Sequence, residues 1–459
     1  MGKLTIKNRL ITMSFLQFFV WGAWLITIAN YWFGTKKWDE VSFGTVFSTL
    51  GFSSLIMPAL TGIIADKWIN AEKLYGLLHF VGGIILCCIP LVNDPTTFFW
   101  VIFGAMSCYM PTISLSNSIG YTVLKNHDYD VVKVFPPIRV WGTVGFIAAM
   151  WFVNLTGNKA SYNQFIISGI AGILLGIYSL TLPKCPPRLN TEQKKSLVEA
   201  MGLNAFRLFA NRKTALFFLF SMMLGAALQL TNMYGDVFVS EFGNFGKYQD
   251  SLIVKYSTII MSISQISETL FILAIPFFLR RFGIKQVMLI SMAAWVLRFG
   301  LLAYGNPNEG LWMVIVSCIV YGMAFDFFNV SGSLYLETTT DSKIRSSAQG
   351  LFMMMTNGFG AVIGSLVSAK IIQEFFTLTF NSTPQLTSYL GITSENHVFG
   401  RLTEKITVAS DGSFSSPVLL RDWTPIWLTF AGYALVIAIL FALFFRHKHN
   451  PEELKEISH

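Results

Sequence analysis

Thr424-Pro-Ile-Trp-Leu-Thr-Phe-Ala-Gly-Tyr-Ala-Leu-Val-Ile-Ala-Ile-Leu-Phe-Ala-Leu-Phe-Phe445 runs without a charged residue until Arg446. A helix needs about 20 apolar residues to cross roughly 30 Å of hydrocarbon. Backbone polar groups in lipid must be satisfied within the segment, which leaves helices or closed barrels. Working back from this stretch, similar windows lie at 10–33, 41–65, 72–92, 97–122, 138–155 and 164–183. Five more lie at 213–239, 252–279, 286–304, 311–337 and 346–373. Only 13% of the 459 residues are charged and 53% are hydrophobic, against about 25% charged in a soluble domain. The alternating strands of about 10 residues that mark a membrane barrel are missing. The expectation is therefore an all-α integral membrane protein with 12 transmembrane helices.

An even number of crossings puts both termini on one side. If that side is cytoplasmic, 22 Lys and Arg fall in inner segments and 8 in outer ones, the bias that sets orientation in membrane proteins. The net charge of +8 is then a topology signal, and no nucleic-acid partner is expected. Met1 through Arg9 leads into the first apolar window without a small-residue cleavage site, so that helix is expected to stay.

The polar stretch 184–212 divides the chain into an N-terminal bundle, 1–183, and a C-terminal bundle, 213–459. Leu197, Met201, Ala205 and Leu208 fall at helical spacing within it, which predicts a short amphipathic helix on the inner membrane surface. The connection 374–423, rich in Ser, Thr, Gly and Asn, is expected to be a long external loop. Faint echoes at offsets of about 200–220 residues suggest internal duplication. Gly62-Ile-Ile-Ala-Asp66-Lys67 with Lys73 is echoed by Arg280-Arg281-Phe-Gly283-Ile-Lys285, and Ile138-Arg139 by Ile344-Arg345. The first of these resembles the short-loop signature of the major facilitator superfamily, with Ile69 or Asn70 where that family usually has glycine. The resemblance implies two pseudo-symmetric six-helix bundles and a gating role for Asp66 and Lys67.

Arg139, Asp236, Glu268, Arg298 and Asp326 lie within or near apolar windows. One charge at the bilayer centre costs roughly 2.5–3.5 kcal/mol on insertion scales, so they are expected to line a cavity or meet partners. Arg139, Thr143 and Phe146 share one helix face, as do Gln229 with Asn232, Gln265 with Glu268, and Tyr321, Phe325 and Asn329. Such faces suit a flat, heterocyclic, hydroxylated solute: rings stack on a base, amides match its edges, and a carboxylate accepts sugar hydroxyls.

Five cysteines, Cys87, Cys88, Cys108, Cys185 and Cys318, show no metal-ligand spacing and read as small buried hydrophobes. The histidines, among them His79 and His127, are scattered and are expected at the surface or in loops. No His-Glu-x-x-His and no phosphate-binding glycine loop occurs, so neither an enzyme nor an ATP-driven pump is expected, and no metal or cofactor.

Ser14-Phe-Leu-Gln17-Phe-Phe-Val-Trp21-Gly22-Ala-Trp24, Phe135-Pro-Pro-Ile-Arg139-Val-Trp141-Gly142-Thr143, Gln265-Ile-Ser-Glu268-Thr269 and Ala324-Phe-Asp326-Phe-Phe-Asn329 closely resemble the bacterial nucleoside:proton symporters of the major facilitator superfamily. The resemblance implies proton-coupled nucleoside uptake across an inner membrane, with nucleoside, proton and lipid bilayer as partners. Substrate-binding roles then fall to Arg139, Thr143, Phe146, Gln229, Asn232, Gln265, Glu268, Tyr321 and Phe325. Asp326 and Glu268 are the candidates for the coupling proton, because that role needs a titratable group responsive to burial. A monomer is expected. A proton-coupled sugar symporter of the same architecture is the alternative.

Overall fold

The computed structural model describes residues 3–187, 203–341 and 344–447. Its long helices are α1 (Lys3–Gly22), α2 (Glu40–Lys67), α3 (Ala71–Cys87), α4 (Pro95–Lys125), α5 (Val131–Leu155), α6 (Asn163–Ser179), α7 (Arg212–Glu241), α8 (Ile263–Tyr304) and α9 (Leu311–Thr339). They are followed by α10 (Arg345–Met353), α11 (Ala361–Phe375) and α12 (Trp423–Phe444). Ten described segments are long and apolar enough to cross a membrane.

Local chemistry explains where the helices begin. The Asp39, Asp94 and Asp130 carboxylates accept from the backbone N–H of Ser42, Thr97 and Lys133 at 2.8, 2.8 and 3.2 Å, each satisfying an otherwise orphaned donor of the first turn. Pro95 follows its cap at a position where its missing N–H costs nothing.

One segment departs from the expected windows, and a second turns in the gap between two of them, 252–279 and 286–304. The first loses regular α-helix after Gly22 and resumes as a wider, π-type helix over Asn30–Lys36. The Ile263–Tyr304 segment folds back: Gly283 stands at φ 77°, ψ 168°. Arg298 Nη1 reaches Ser264 Oγ at 3.4 Å, although 34 residues of straight helix would separate them by about 50 Å. Glycine tolerates that left-handed backbone and is where the turn falls. α10 also passes into α11 through a π-type turn, Met354–Gly360.

Helices α1–α6 pack mainly among themselves, α1 against α5 and α6, α3 against α4 and α6, and α2 against α4. In the C-terminal part α7 packs on the α10–α11 rod, and α8 on α9 and α12. α2 lies along α11 between the two groups. The α1–α5 crossing is close because a Cβ on Gly145 would strike the Phe15 carbonyl, the small-residue approach typical of membrane helices.

One end of the molecule is sealed. Lys159, in the α5–α6 connection, donates to Ser240 Oγ, Val254 O and Ser257 Oγ at 3.1, 2.9 and 2.8 Å. Asn154 reaches Lys255 O at 2.9 Å, and Trp151 Nε1 reaches Ser262 Oγ at 2.9 Å. Arg421 bonds both Glu40 of α2 and Glu241 of α7 and covers the Phe33 ring at 3.6 Å. Among the described residues, every bond we find between the N- and C-terminal groups lies at this end. At the opposite end, where α2 meets α3 and α4 meets α5, no such bond is found between described residues of the two groups, and a hollow lined by Ser114, Asn117, Tyr121 and Lys125 makes this the open end.

The 374–423 connection is an ordered unit and not a loop. β1 (Thr377–Ser382) pairs antiparallel with β2 (Ser413–Arg421), and two short helices, Thr383–Leu390 and His397–Thr403, lie between them. Phe380, Leu386, Leu390, Phe399, Val418 and Leu420 form its own apolar core, which a count of Ser, Thr and Gly does not reveal. Of the amphipathic helix expected in 184–212, residues 188–202, with Leu197 and Met201, lie outside the described residues. Leu203–Ala210 forms a short helix, and Leu208 packs against the main core.

Candidate functional site

The site lies between the two helix groups, beneath the sealed end. On the N-terminal side, α5 places Arg139 over Phe18 of α1, with its guanidinium carbon 4.1 Å from the ring centre. Phe146, two turns along, meets Trp21 edge-on at 6.4 Å and 87°, and Trp21 leans on Tyr109 of α4 at 5.4 Å. Thr143 is half-buried on the same α5 face. Phe18, Trp21 and Tyr109 were not among the residues expected from sequence. The aromatic density of 15–24 was the signal for Phe18 and Trp21, but aromatics at helical spacing are equally the mark of a packed core.

On the C-terminal side, Tyr321 and Phe325 of α9 stack at 5.9 Å and 3°. Trp295 meets Tyr321 edge-on at 6.0 Å and 89°. Glu268 and Asp326 lie within electrostatic range of one another, and Glu268 is within such range of Arg139 across the gap. Asn232 and Gln265 are half-buried, and Gln229 is buried. Gln229 Oε1, Gln265 Oε1, Asp326 Oδ2 and Trp21 Nε1 are buried without a hydrogen-bond partner. Leaving such a group unmet costs about 1–3 kcal/mol, so four around one gap form a surface suited to a polar solute.

Not every expected residue belongs there. Asp236 is buried at the sealed end, where Asn30 donates to it. Arg298 is buried inside the C-terminal group. Both satisfy the requirement that a charge in the membrane find partners, but neither faces the gap. Asn329 turns its amide back to Phe325 O at 3.1 Å. Asp66 and Lys67 are exposed at the open end, where the groups are parted and no partner for Asp66 is in reach among the described residues. His79 corrects the expectation of a surface histidine: it is buried, with Nε2 2.7 Å from Gln17 Oε1. Gln17 also accepts from Tyr75 OH at 2.7 Å and donates to Thr112 Oγ1 at 2.9 Å. The imidazole thus completes a polar knot inside the N-terminal group.

None of the five cysteines forms a disulfide; Cys185 and Cys318 are buried as expected, but Cys87 and Cys108 are half-buried and Cys88 is exposed, and no cluster able to hold a metal occurs among the described residues.

With this geometry in view, comparison with known proteins is decisive. The family model for the nucleoside H+ symporters matches residues 4–450. The chain belongs to that family. It is 45% identical to the xanthosine permease of Escherichia coli K12 over 98% of this chain and 99% of the relative. It is 44% identical to the nucleoside permease NupG of the same organism over 99% and 100%. A crystal structure of the nucleoside transporter NupG superposes with a TM-score of 0.82, covering 96% of this chain and 100% of that one. The fold is that of the major facilitator superfamily, and the family is one of membrane transporters, not enzymes.

Proposed function

We propose that this chain takes up nucleosides together with protons across a bacterial inner membrane, exposing one central site to each side in turn. The observation that carries the reading is the meeting across the gap of Arg139 on its ring, the Glu268 carboxylate and the Tyr321–Phe325 stack. A nucleoside offers matching chemistry. Its base stacks on Phe325, Tyr321 or Phe146. The amides of Gln229, Asn232 and Gln265 meet the base edges, and Glu268 accepts from ribose hydroxyls with Arg139 and Thr143 beside it.

Coupling falls to Asp326 and Glu268. Two ionised carboxylates in electrostatic range repel one another, so a proton taken up by either relieves the site and makes it a better acceptor of a neutral solute. The proton gradient supplies the driving force without a cofactor.

In the membrane we place both termini in the cytoplasm, following the 22-to-8 bias of Lys and Arg. The sealed end then faces outward and the open end inward. The reading includes twelve crossings: the interrupted first segment is one, and the two arms of α8 count separately. These divide into a bundle at 1–183, a cytoplasmic linker at 184–212 and a bundle at 213–459, in a chain that works as a monomer. Asp66 and Lys67 then serve the inner gate, finding partners when that end closes.

The test is uptake of labelled adenosine, uridine and xanthosine into sealed proteoliposomes, with and without an inward proton gradient. Concentrative uptake abolished by a protonophore, and competed by nucleosides but not by sugars, is the expected result. Flux of a sugar with none of any nucleoside would overturn the substrate assignment and favour the sugar-symporter alternative.

A further inference from the structure

Arg298 sits on the arm of α8 after Gly283 and is fully buried, 0% exposed. No carboxylate lies within ion-pair distance of it among the described residues. Its partners are dipoles and a ring. Nη1 donates to Ser317 O at 2.7 Å and Ser264 Oγ at 3.4 Å. Nε donates to Thr231 Oγ1 at 3.3 Å, and the guanidinium carbon lies 4.5 Å from the Tyr321 ring centre. Ser317 Oγ in turn donates to Arg298 O at 3.2 Å.

The placement of those partners is informative. Thr231 lies between Gln229 and Asn232 on α7. Ser264 immediately precedes Gln265, one turn before Glu268, on the first arm of α8. Ser317 is one turn before Tyr321 on α9. One side chain outside the gap is therefore tied to all three elements that carry the C-terminal wall of the site, each time beside a residue assigned to substrate. A planar fork with five donors in fixed directions can hold three elements at once, and a lysine ammonium cannot reproduce that geometry. If stability alone were at stake, a well-packed apolar residue in place of a buried charge is often neutral or better.

We propose that Arg298 is a positioning residue for nucleoside binding: it sets the mutual spacing of the α7 amides, the α8 carboxylate and the Tyr321 ring. The inference rests on the nucleoside reading above. A role confined to holding helices together would lower the melting temperature and leave the affinity of the folded protein unchanged. A positioning role moves the affinity itself.

The experiment measures Kd for uridine, adenosine and xanthosine on purified full-length protein, with the melting temperature in parallel. Arg298→Lys and Arg298→Met are compared with Thr231→Val and Ser264→Ala, each of which removes a single tether. Expected are a loss of tenfold or more in affinity for both Arg298 variants and smaller losses, of a few fold, for the single-tether variants. Arg298 variants that melt lower but bind within twofold of the parent overturn the inference. If neither Arg298 variant folds, unchanged affinity in both Thr231→Val and Ser264→Ala overturns it instead. An unaltered protein that binds none of the three nucleosides refutes the nucleoside reading itself, and with it this inference.

Discussion

Asp326 and Glu268 occupy the same neighbourhood but are not equivalent. Glu268 sees Arg139 across the gap, whereas Asp326 is buried with Oδ2 unpartnered. Loss of the Asp326 proton site should therefore separate coupling from binding. Asp326→Asn is expected to keep exchange of labelled nucleoside across proteoliposomes and to lose proton-driven accumulation; unchanged accumulation would assign the proton elsewhere. Glu268→Gln keeps the size of the side chain but weakens its acceptance of two hydroxyls, since hydrogen bonds to a charged group are worth about 1.5–3 kcal/mol. Nucleoside affinity should fall roughly 10- to 100-fold in an equilibrium binding assay. At this scale the sequence was readable where polar residues interrupt apolar windows, as at Arg139 and Gln265. It was not readable for Trp21 or Tyr109, whose neighbours decide whether a ring faces a site or a core. Nor could it reveal that Asp236 and Arg298, of the same residue type and setting as the site residues, turn to partners elsewhere.

Among the elements, the α1–α5 crossing and the 376–422 unit each make a checkable demand. At Gly145 a Cβ would meet the Phe15 carbonyl, and the backbone there cannot yield as a flexible side chain would. Gly145→Leu should destabilise the protein by about 1–3 kcal/mol, seen as a lower melting temperature and a lower yield of folded protein. Arg421, at the end of β2, spans Glu40 and Glu241 and is 8% exposed; beside the two carboxylates its guanidinium is held even more firmly in the charged form. Removing one partner of such a buried set costs about 3–5 kcal/mol. Arg421→Gln should thus loosen the sealed end, making a cysteine placed at Ser262 react faster with a water-soluble thiol reagent. An unchanged labelling rate would show that the ordered unit does not hold that end shut. The apolar spans of the helices were legible because hydrophobicity along about 20 residues is a local signal, whereas the caps at Asp39, Asp94 and Asp130 emerged with the structure. The β1–β2 pairing was not legible, because its strands lie 30 residues apart and its core residues are diluted among polar ones.

For the whole molecule, the sealed and open ends imply that transport requires parting the contacts around Asn154, Lys159 and Arg421. In a variant lacking the five native cysteines, linking Asn154→Cys to Lys255→Cys with a short bifunctional thiol reagent should stop net uptake and nucleoside exchange alike. The same reagent on either single variant should leave flux intact. Persisting exchange in the linked protein would mean that the sealed end does not need to open.

Composition, windows of about 20 apolar residues and the distribution of Lys and Arg were enough to specify a multi-pass helical membrane protein, because the cost of exposing backbone or charge to lipid is paid locally. The recurring phrases around Arg139, Gln265 and Asp326 were enough to point to the family. Only the tertiary structure decided that 376–422 is a folded unit clasping the sealed end, that His79 lies in a buried knot, and that Arg298 ties three walls together. Each of these depends on what stands opposite a residue across tens or hundreds of positions, and helical spacing specifies a face without specifying what that face meets.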